Sequence, residues 1–336
     1  MALIEVTDLV KEYKLNVRKK GLSGAIRGLL VPEFKLKRAV DSISFTINQG
    51  DTVGFIGPNG AGKSTTVKML TGILAPTSGS VTVGGLSPFK ERKKNAMRIG
   101  VVFGQKTQLW WDLPVIDTFD LLRHIYRIPA ERYKRNLEMF SEMLGLQDFI
   151  HVPVRQLSLG QKMRADIAAA LLHDPEILFF DEPTIGLDVV AKEKIREFIT
   201  FVNREKGTTM LFTTHDMDDI EKTCNRMIII DKGTKIYDGT VEDIKRTYGN
   251  DRIMVVEFGE KADPIYIPGV ELIDAKDNRM WLKFHKDEVQ ASLILNRLTQ
   301  KYSISDFTVQ EPEIEGIIRD IYLGGIHLDK SVSGVC

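Results

Sequence analysis

One stretch constrains this chain more than any other. Gly57, Pro58, Asn59, Gly60, Ala61, Gly62, Lys63, Ser64 and Thr65 read as Gly, four residues, Gly, Lys and Ser, directly after the apolar run 53–56. The pattern calls for a strand feeding a helix through a turn whose backbone N–H groups converge on one concavity, with the positive end of the following helix aimed at the same place. Such a concavity cradles phosphate. Lys63 is placed to meet the β and γ oxygens of a nucleotide, and the Ser64 hydroxyl to ligate Mg²⁺.

Two further stretches carry chemistry. Residues 177–182, ILFFDE, are four apolar residues ending in two carboxylates, the way a buried strand delivers acids to a sheet edge where ligands bind. Asp181 would hold Mg²⁺ through its coordination shell, and Glu182 would orient or deprotonate an attacking water. Taken alone, the run equally describes a plain strand end. Residues 157–161, LSLGQ, open a helix that continues through MRADIAAALL. Ser158 and the Gly160 backbone at a helix start make an anion site, and Ser158 as a simple helix cap is the competing description.

With these three motifs, LSLGQ lying between the other two along the chain, the chain resembles the ATP-binding-cassette (ABC) transporter family, whose LSGGQ motif differs from LSLGQ only where Leu159 replaces the commoner Gly. The resemblance spans about residues 2–245. It implies that Ser158, Gly160 and Gln161 serve the nucleotide of a partner subunit, so that two subunits sandwich two ATP molecules. It also assigns Gln105 in VVFGQ to Mg²⁺ sensing beside the permease, residues 185–188 (IGLD) to the dimer contact, and His215 to the γ-phosphate. Tyr13 resembles the aromatic that stacks on adenine, with Phe34 as the weaker candidate. Trp110 and Trp111 lie where the family's permease helices dock, although a buried place in the helical insert would suit them equally.

The implied fold is α/β: a P-loop NTPase, ABC nucleotide-binding domain over residues 1–245, mostly parallel sheet with a helical insert at about 106–165. A small α+β accessory domain over 246–336 follows. The implied activity is ATP hydrolysis in a bacterial exporter with separately encoded integral-membrane permeases and a second copy of the same or a similar ATPase subunit, placed at the cytoplasmic face of the membrane. A soluble ABC ATPase acting on ribosomes or nucleic acid, and an importer cassette, are the alternatives. The former usually carries two cassettes or a long coiled-coil insertion, whereas only 93 residues separate Lys63 from Leu157.

Composition narrows the partners. Lys plus Arg (46) balances Asp plus Glu (46), so no global field favours nucleic acid, and Cys224 and Cys336 cannot build a disulfide framework. The opening residues do not read as a secretory signal, and no apolar run approaches the roughly 20 residues that span a bilayer. Residues 11–38 nevertheless carry nine basic residues against two acids, an excursion expected to leave the sheet from Lys14 to Arg38. Within it Leu22, Ile26, Leu29 and Leu30 share one face of a short basic amphipathic helix. Strands are expected at 2–10, 39–56, 177–180, 209–213 and 227–230, with helical spacing at 115–145 (Tyr133, Leu137, Phe140, Leu144) and helices at 191–206 and 216–224. In the accessory domain, 253–258 and 280–284 read as hairpin arms joined by a turn at Asp277 and Asn278. A helix over 287–302 follows, presenting Val289, Leu293, Leu295 and Leu298, and a last helix covers 313–322.

Overall fold

The computed structural model describes residues 1–16, 34–104, 106–214, 216–263, 266–311 and 313–323. The chain divides into two compact units, Met1–Asp238 and Gly239–Cys336.

In the first unit, β1 (Ala2–Asn16) pairs antiparallel with β2 (Phe34–Asn48) and with β4 (Ser78–Val83) in a three-stranded sheet of order β2-β1-β4. A larger sheet holds β3 (Thr52–Ile56), β5 (Ile99–Phe103), β6 (Ile177–Asp181), β7 (Thr209–Thr213), β8 (Arg226–Asp231) and β9 (Thr234–Thr240), in the order β5-β6-β7-β3-β8-β9. The pairings of β5 with β6, β6 with β7, and β3 with both β7 and β8 are parallel. All five residues of β3 and of β7 are buried, which is why they read as continuous apolar runs: a strand covered on both faces has no polar side to alternate with. The core joins the two sheets. Ile4, Val6, Ile43 and Ile47 meet Val53, Phe179, Leu211 and Ile228, with the Phe45 and Phe55 rings 5.7 Å apart.

The helices are α1 (Lys63–Leu70), α2 (Arg92–Ala96), α3 (Val115–Ile125), α4 (Ala130–Leu144), α5 (Leu159–Leu171), α6 (Val189–Lys206) and α7 (Met217–Thr223). On α4 the expected stripe is buried at Tyr133, Phe140 and Leu144, but Asn136 takes the interior place beside them and Leu137 is only half-buried. Asn136 is satisfied there, donating to the Leu172 carbonyl at 3.0 Å and accepting from Lys206 Nζ at 3.1 Å. The basic excursion starts later than Lys14, because β1 runs to Asn16 and β2 begins at Phe34. The amphipathic stretch around Leu22 to Leu30 lies outside the described residues.

The second unit opens with α8 (Val241–Tyr248). Its antiparallel sheet has the order β11-β12-β10-β13, from β10 (Asp251–Phe258), β11 (Val270–Lys276), β12 (Arg279–His285) and β13 (Ile304–Gln310). Asp277 and Asn278 join β12 to β11, not to β10, which corrects the expected hairpin. β10 and β12 are neighbours, but the chain reaches one from the other through an edge strand. The alternating faces of β10 and β12 bury Met254, Val256, Phe258, Met280, Leu282 and Phe284 against α9 (Ala291–Thr299). That helix is shorter than expected and turns Ile294 and Leu298 inward, leaving Leu293 49% exposed. The last helix, α10 (Ile314–Tyr322), buries Ile314, Ile317, Ile318 and Ile321, the i, i+3, i+4, i+7 stripe of an amphipathic helix.

Candidate nucleotide-binding site

The site is built at the carboxyl ends of the central strands. β3 ends at Ile56, and the loop 57–62 turns the chain into α1, entered through Gly62 at φ +110°. A Cβ there would sit 2.5 Å from the Ala39 carbonyl oxygen, so both the backbone angle and the space call for glycine. Lys63 begins the helix with its side chain buried, and its Nζ donates to the carbonyls of Gly57 at 2.6 Å and Pro58 at 3.3 Å. Burial depresses its ammonium below the ordinary lysine range, while the carboxylates of Glu182 and Asp181 pull it back up. The result is a cation folded back on its own loop beside backbone N–H groups, suited to donate to phosphate oxygens.

Ser64 Oγ donates to Asp181 Oδ1 at 3.1 Å, and Thr213 Oγ1, from the end of β7, donates to the same oxygen at 2.6 Å. Thr213 was not among the expected site residues. Its only sequence signal is that it closes an apolar run two residues before His215. Glu182 follows in a left-handed conformation, φ +57°, its N–H donating to the Thr213 carbonyl at 2.8 Å. Gly104 packs against this turn, and a Cβ on it would lie 1.9 Å from the Glu182 carbonyl oxygen. Gly104→Ala must therefore push Glu182 out of place. ATP turnover in that variant is expected to fall about 10²-fold, the usual consequence of an ångström-scale displacement at a reacting centre, as measured by steady-state phosphate release.

The segments behind the carboxylates are braced. Thr184 hydrogen-bonds the buried Asp219 carboxylate, which also pairs with Arg196 Nε at 2.6 Å. Gln105 and His215 lie outside the described residues. Tyr13 sits in β1, cross-strand from Lys37, 37% exposed, with Lys11 Nζ 5.5 Å from its ring centroid. Phe34 lies at the far end of the same ribbon, opposite Asn16.

Ser158 caps α5. Its Oγ accepts from the Gln161 N–H at 3.2 Å while Gln161 Oε1 accepts from the Ser158 N–H at 2.9 Å, a capping box that ties both side chains to their own helix. Leu159 is 48% exposed, and a Cβ on Gly186 would come 3.1 Å from its Cδ2, so the motif's start leans on residues 185–188 of the same chain. Asp188 caps α6 by accepting from the Ala191 N–H at 2.8 Å, leaving Val189 and Val190 exposed beside it.

Asp166, on the third turn of α5, carries no signal of its own in the sequence, because it sits inside an alanine-rich run. It is buried and accepts from Thr107 Oγ1 and the Gln108 N–H, each at 3.0 Å, clasping the loop that carries Trp110 and Trp111. Those tryptophans are 42% and 53% exposed, which removes them from the insert core, and Lys162 Nζ stands 4.5 Å from the Trp111 ring centroid. Burial pushes the Asp166 carboxyl from 3.8 up to about 7 despite its two donors. The folded state then holds a proton the unfolded chain has released, so this contribution to stability is complete below about pH 4 and is lost as pH rises through about 7. Asp166→Asn, which keeps an acceptor for both donors, is expected to abolish that decline and to be the more stable protein at pH 8, read by urea denaturation across pH.

The family described as ABC transporter matches residues 40–185, and the family described as ATP-binding protein DrrA1-3-like, C-terminal domain, matches residues 239–320. The linearmycin resistance ATP-binding protein LnrL of Bacillus subtilis is 32% identical over 293 residues, covering 85% of this chain and 94% of that protein. The ABC transporter ATP-binding protein NatA of the same organism is 36% identical over 210 residues, covering 62% and 85%. The methionine import ATP-binding protein MetN 2 of Enterococcus faecalis is 30% identical over 335 residues, covering 96% and 92%. Among solved structures, a dimeric ATP-binding cassette in a post-hydrolysis state with ADP and Pi superposes with TM-score 0.59 at 27% identity, over 71% of this chain and 98% of that one. A phosphate loop at the end of a buried parallel strand, two carboxylates on the next strand but one, and relatives matched over nearly their whole length make this chain a member of the ABC transporter ATP-binding protein family, the ATP-hydrolysing subunit of such a transporter.

Proposed function

We propose that this subunit pairs with a second copy of itself, or a similar cassette, around two ATP molecules and drives export through separate permeases from the cytoplasmic face of the membrane. The observation that carries the pairing is a division of labour within one chain. Lys63, Ser64, Asp181 and Glu182 converge on one spot, whereas Ser158 opens its helix at the surface beside the exposed Leu159, Val189 and Val190. An apolar patch rimmed by helix N-termini suits a protein partner carrying phosphate.

In the cycle, Lys63 leaves the Gly57 and Pro58 carbonyls for the β and γ oxygens, and the partner's copies of Ser158 and Gly160 close the other side. Tyr13 is the stacking group for adenine, and Gln105 and His215 are assigned by family resemblance to the Mg²⁺ side and to the γ-phosphate. Ser64 Oγ and Asp181 are hard oxygen donors sharing one contact, a set that fits Mg²⁺ held by one carboxylate plus phosphate oxygens rather than by a protein cage. Mg²⁺ held there would neutralise charge developing on the phosphates. Glu182 orients and deprotonates the attacking water, and loss of the bridging phosphate lets the two cassettes part, which changes the facing of the permease.

Export is favoured because the named relatives include the linearmycin resistance protein, the daunorubicin resistance protein DrrA3 and the Nod factor export protein I, and because the second unit matches the DrrA1-3-like domain. The methionine import protein is the counterweight. Among the described residues no helix is long and apolar enough to cross a membrane, so the channel is assigned to other chains. Purification from membranes after crosslinking, with the bound proteins identified, tests the proposal. Permeases alone are expected, and a substrate-binding protein in the same complex would make it an importer. Ribosomes or nucleic acid in place of permeases would refute transport altogether.

The second unit has its own core and is proposed to regulate or support the dimer. A chain ending at Thr240, the last residue of β9, is expected to bind ATP with unchanged affinity in an equilibrium titration. A collapse of that affinity would make the segment part of the catalytic fold.

A further inference from the structure

The far end of the β1–β2 ribbon sets exposed apolar side chains among lysines. Antiparallel pairing continues through Tyr13 opposite Lys37, Lys14 opposite Leu36, Leu15 opposite Lys35 and Asn16 opposite Phe34. Because directly opposed residues share a face, each face of the tip sets a leucine against a lysine: Leu15 with Lys35 on one, Leu36 with Lys14 on the other. Leu15, Phe34 and Leu36 are 47%, 53% and 56% exposed, a costly arrangement for three large apolar side chains on a thin ribbon. No carboxylate occurs among residues 13–16 and 34–37, and residues 11–38 as a whole are locally basic in a chain of zero net charge.

We propose that this ribbon tip binds the surface of a bilayer containing anionic phospholipid. Leu15, Phe34 and Leu36 enter the boundary between headgroups and acyl chains, while Lys14, Lys35 and Lys37 bury their methylene stems alongside and keep their ammonium groups at the phosphates. Two observations favour lipid over a protein partner. Lysine is depleted from the buried centre of protein interfaces, yet here it sits cross-strand from both leucines. The apolar groups also point from both faces of the ribbon, which suits insertion into a fluid boundary rather than docking of one flat face.

The experiment uses the full chain, without permease, and vesicles of phosphatidylcholine alone or with a quarter phosphatidylglycerol, read by co-sedimentation. Each lysine near such a surface contributes about fivefold in partitioning. Wild type is therefore expected to bind the anionic vesicles roughly 100-fold more tightly than the neutral ones, and to lose much of that at 0.5 M salt. The triple variant Lys14→Gln, Lys35→Gln, Lys37→Gln should lose most of the preference. Leu15→Ser with Leu36→Ser should weaken binding at every salt concentration. Equal binding of wild type to both vesicles, or full retention by the triple variant, would overturn the proposal. So would a triple variant that still binds anionic vesicles but no longer copurifies with permease, which would hand the ribbon to a protein partner. Since no permease is present in the vesicle assay, its failure leaves the transport reading standing.

Discussion

Glu182→Gln is expected to lower steady-state ATP turnover about 10²- to 10⁴-fold while leaving ATP binding within a few-fold of wild type. The argument rests on shape. Glutamine keeps the size of the side chain and its hydrogen-bonding reach but cannot take a proton from water. The backbone that aims residue 182 is secured independently of the side chain, by the N–H bond to the Thr213 carbonyl at 2.8 Å and by the packing of Gly104. Binding and bond cleavage should therefore separate. A further consequence is that the variant, unable to remove the bridging phosphate, accumulates as an ATP-bound dimer visible by light scattering. Turnover near that of wild type would remove Glu182 from the role of base, and a variant that stays monomeric with ATP bound would undo the proposed pairing.

Lys63→Met is expected to weaken ATP binding by about 30- to 4,000-fold, measured by titration of a fluorescent nucleotide at fixed salt. Removing a partly buried charged hydrogen-bond partner costs about 2–5 kcal/mol, and each 1.4 kcal/mol is a factor of ten. The loss is expected in the lower half of that range. In the free chain the ammonium already donates to Gly57 and Pro58, and it must surrender those contacts as phosphate arrives. Methionine preserves the apolar stem packed in the loop, so folding should survive and the loss can be assigned to the charge. Binding within threefold of wild type would show that the backbone N–H groups alone hold the phosphates.

Much of the site was legible because its parts are local. A phosphate loop is a backbone conformation written in nine consecutive residues, and Gly62 at φ +110° ahead of Lys63 is the kind of constraint that survives any tertiary context. The acid pair 181–182 was legible because a buried strand must end where its apolar residues end. Ser158 was legible as a helix start, and the capping box with Gln161 needs only those four residues. Trp110 and Trp111 show the opposite case: helical-insert core and exposed contact surface suited the pattern equally, and burial decided for exposure.

What the sequence determined by itself, then, is everything set within a turn or two of chain: the nucleotide loop, the strand that feeds it, the carboxylates, the helix caps and the family resemblance these motifs carry in order. The tertiary structure alone decided which distant groups meet. It brought Thr213 onto the oxygen of Asp181 that Ser64 also contacts, pressed Gly104 against Glu182, buried Asp166 under the loop at Thr107, and made β11 rather than β10 the hairpin partner of β12. The physical reason is range. Torsional preference, capping and alternation act between near neighbours and leave a pattern in the residues, whereas burial and register arise from surfaces far apart in the chain, and an edge strand as exposed as Val270–Lys276 leaves almost no alternation to read.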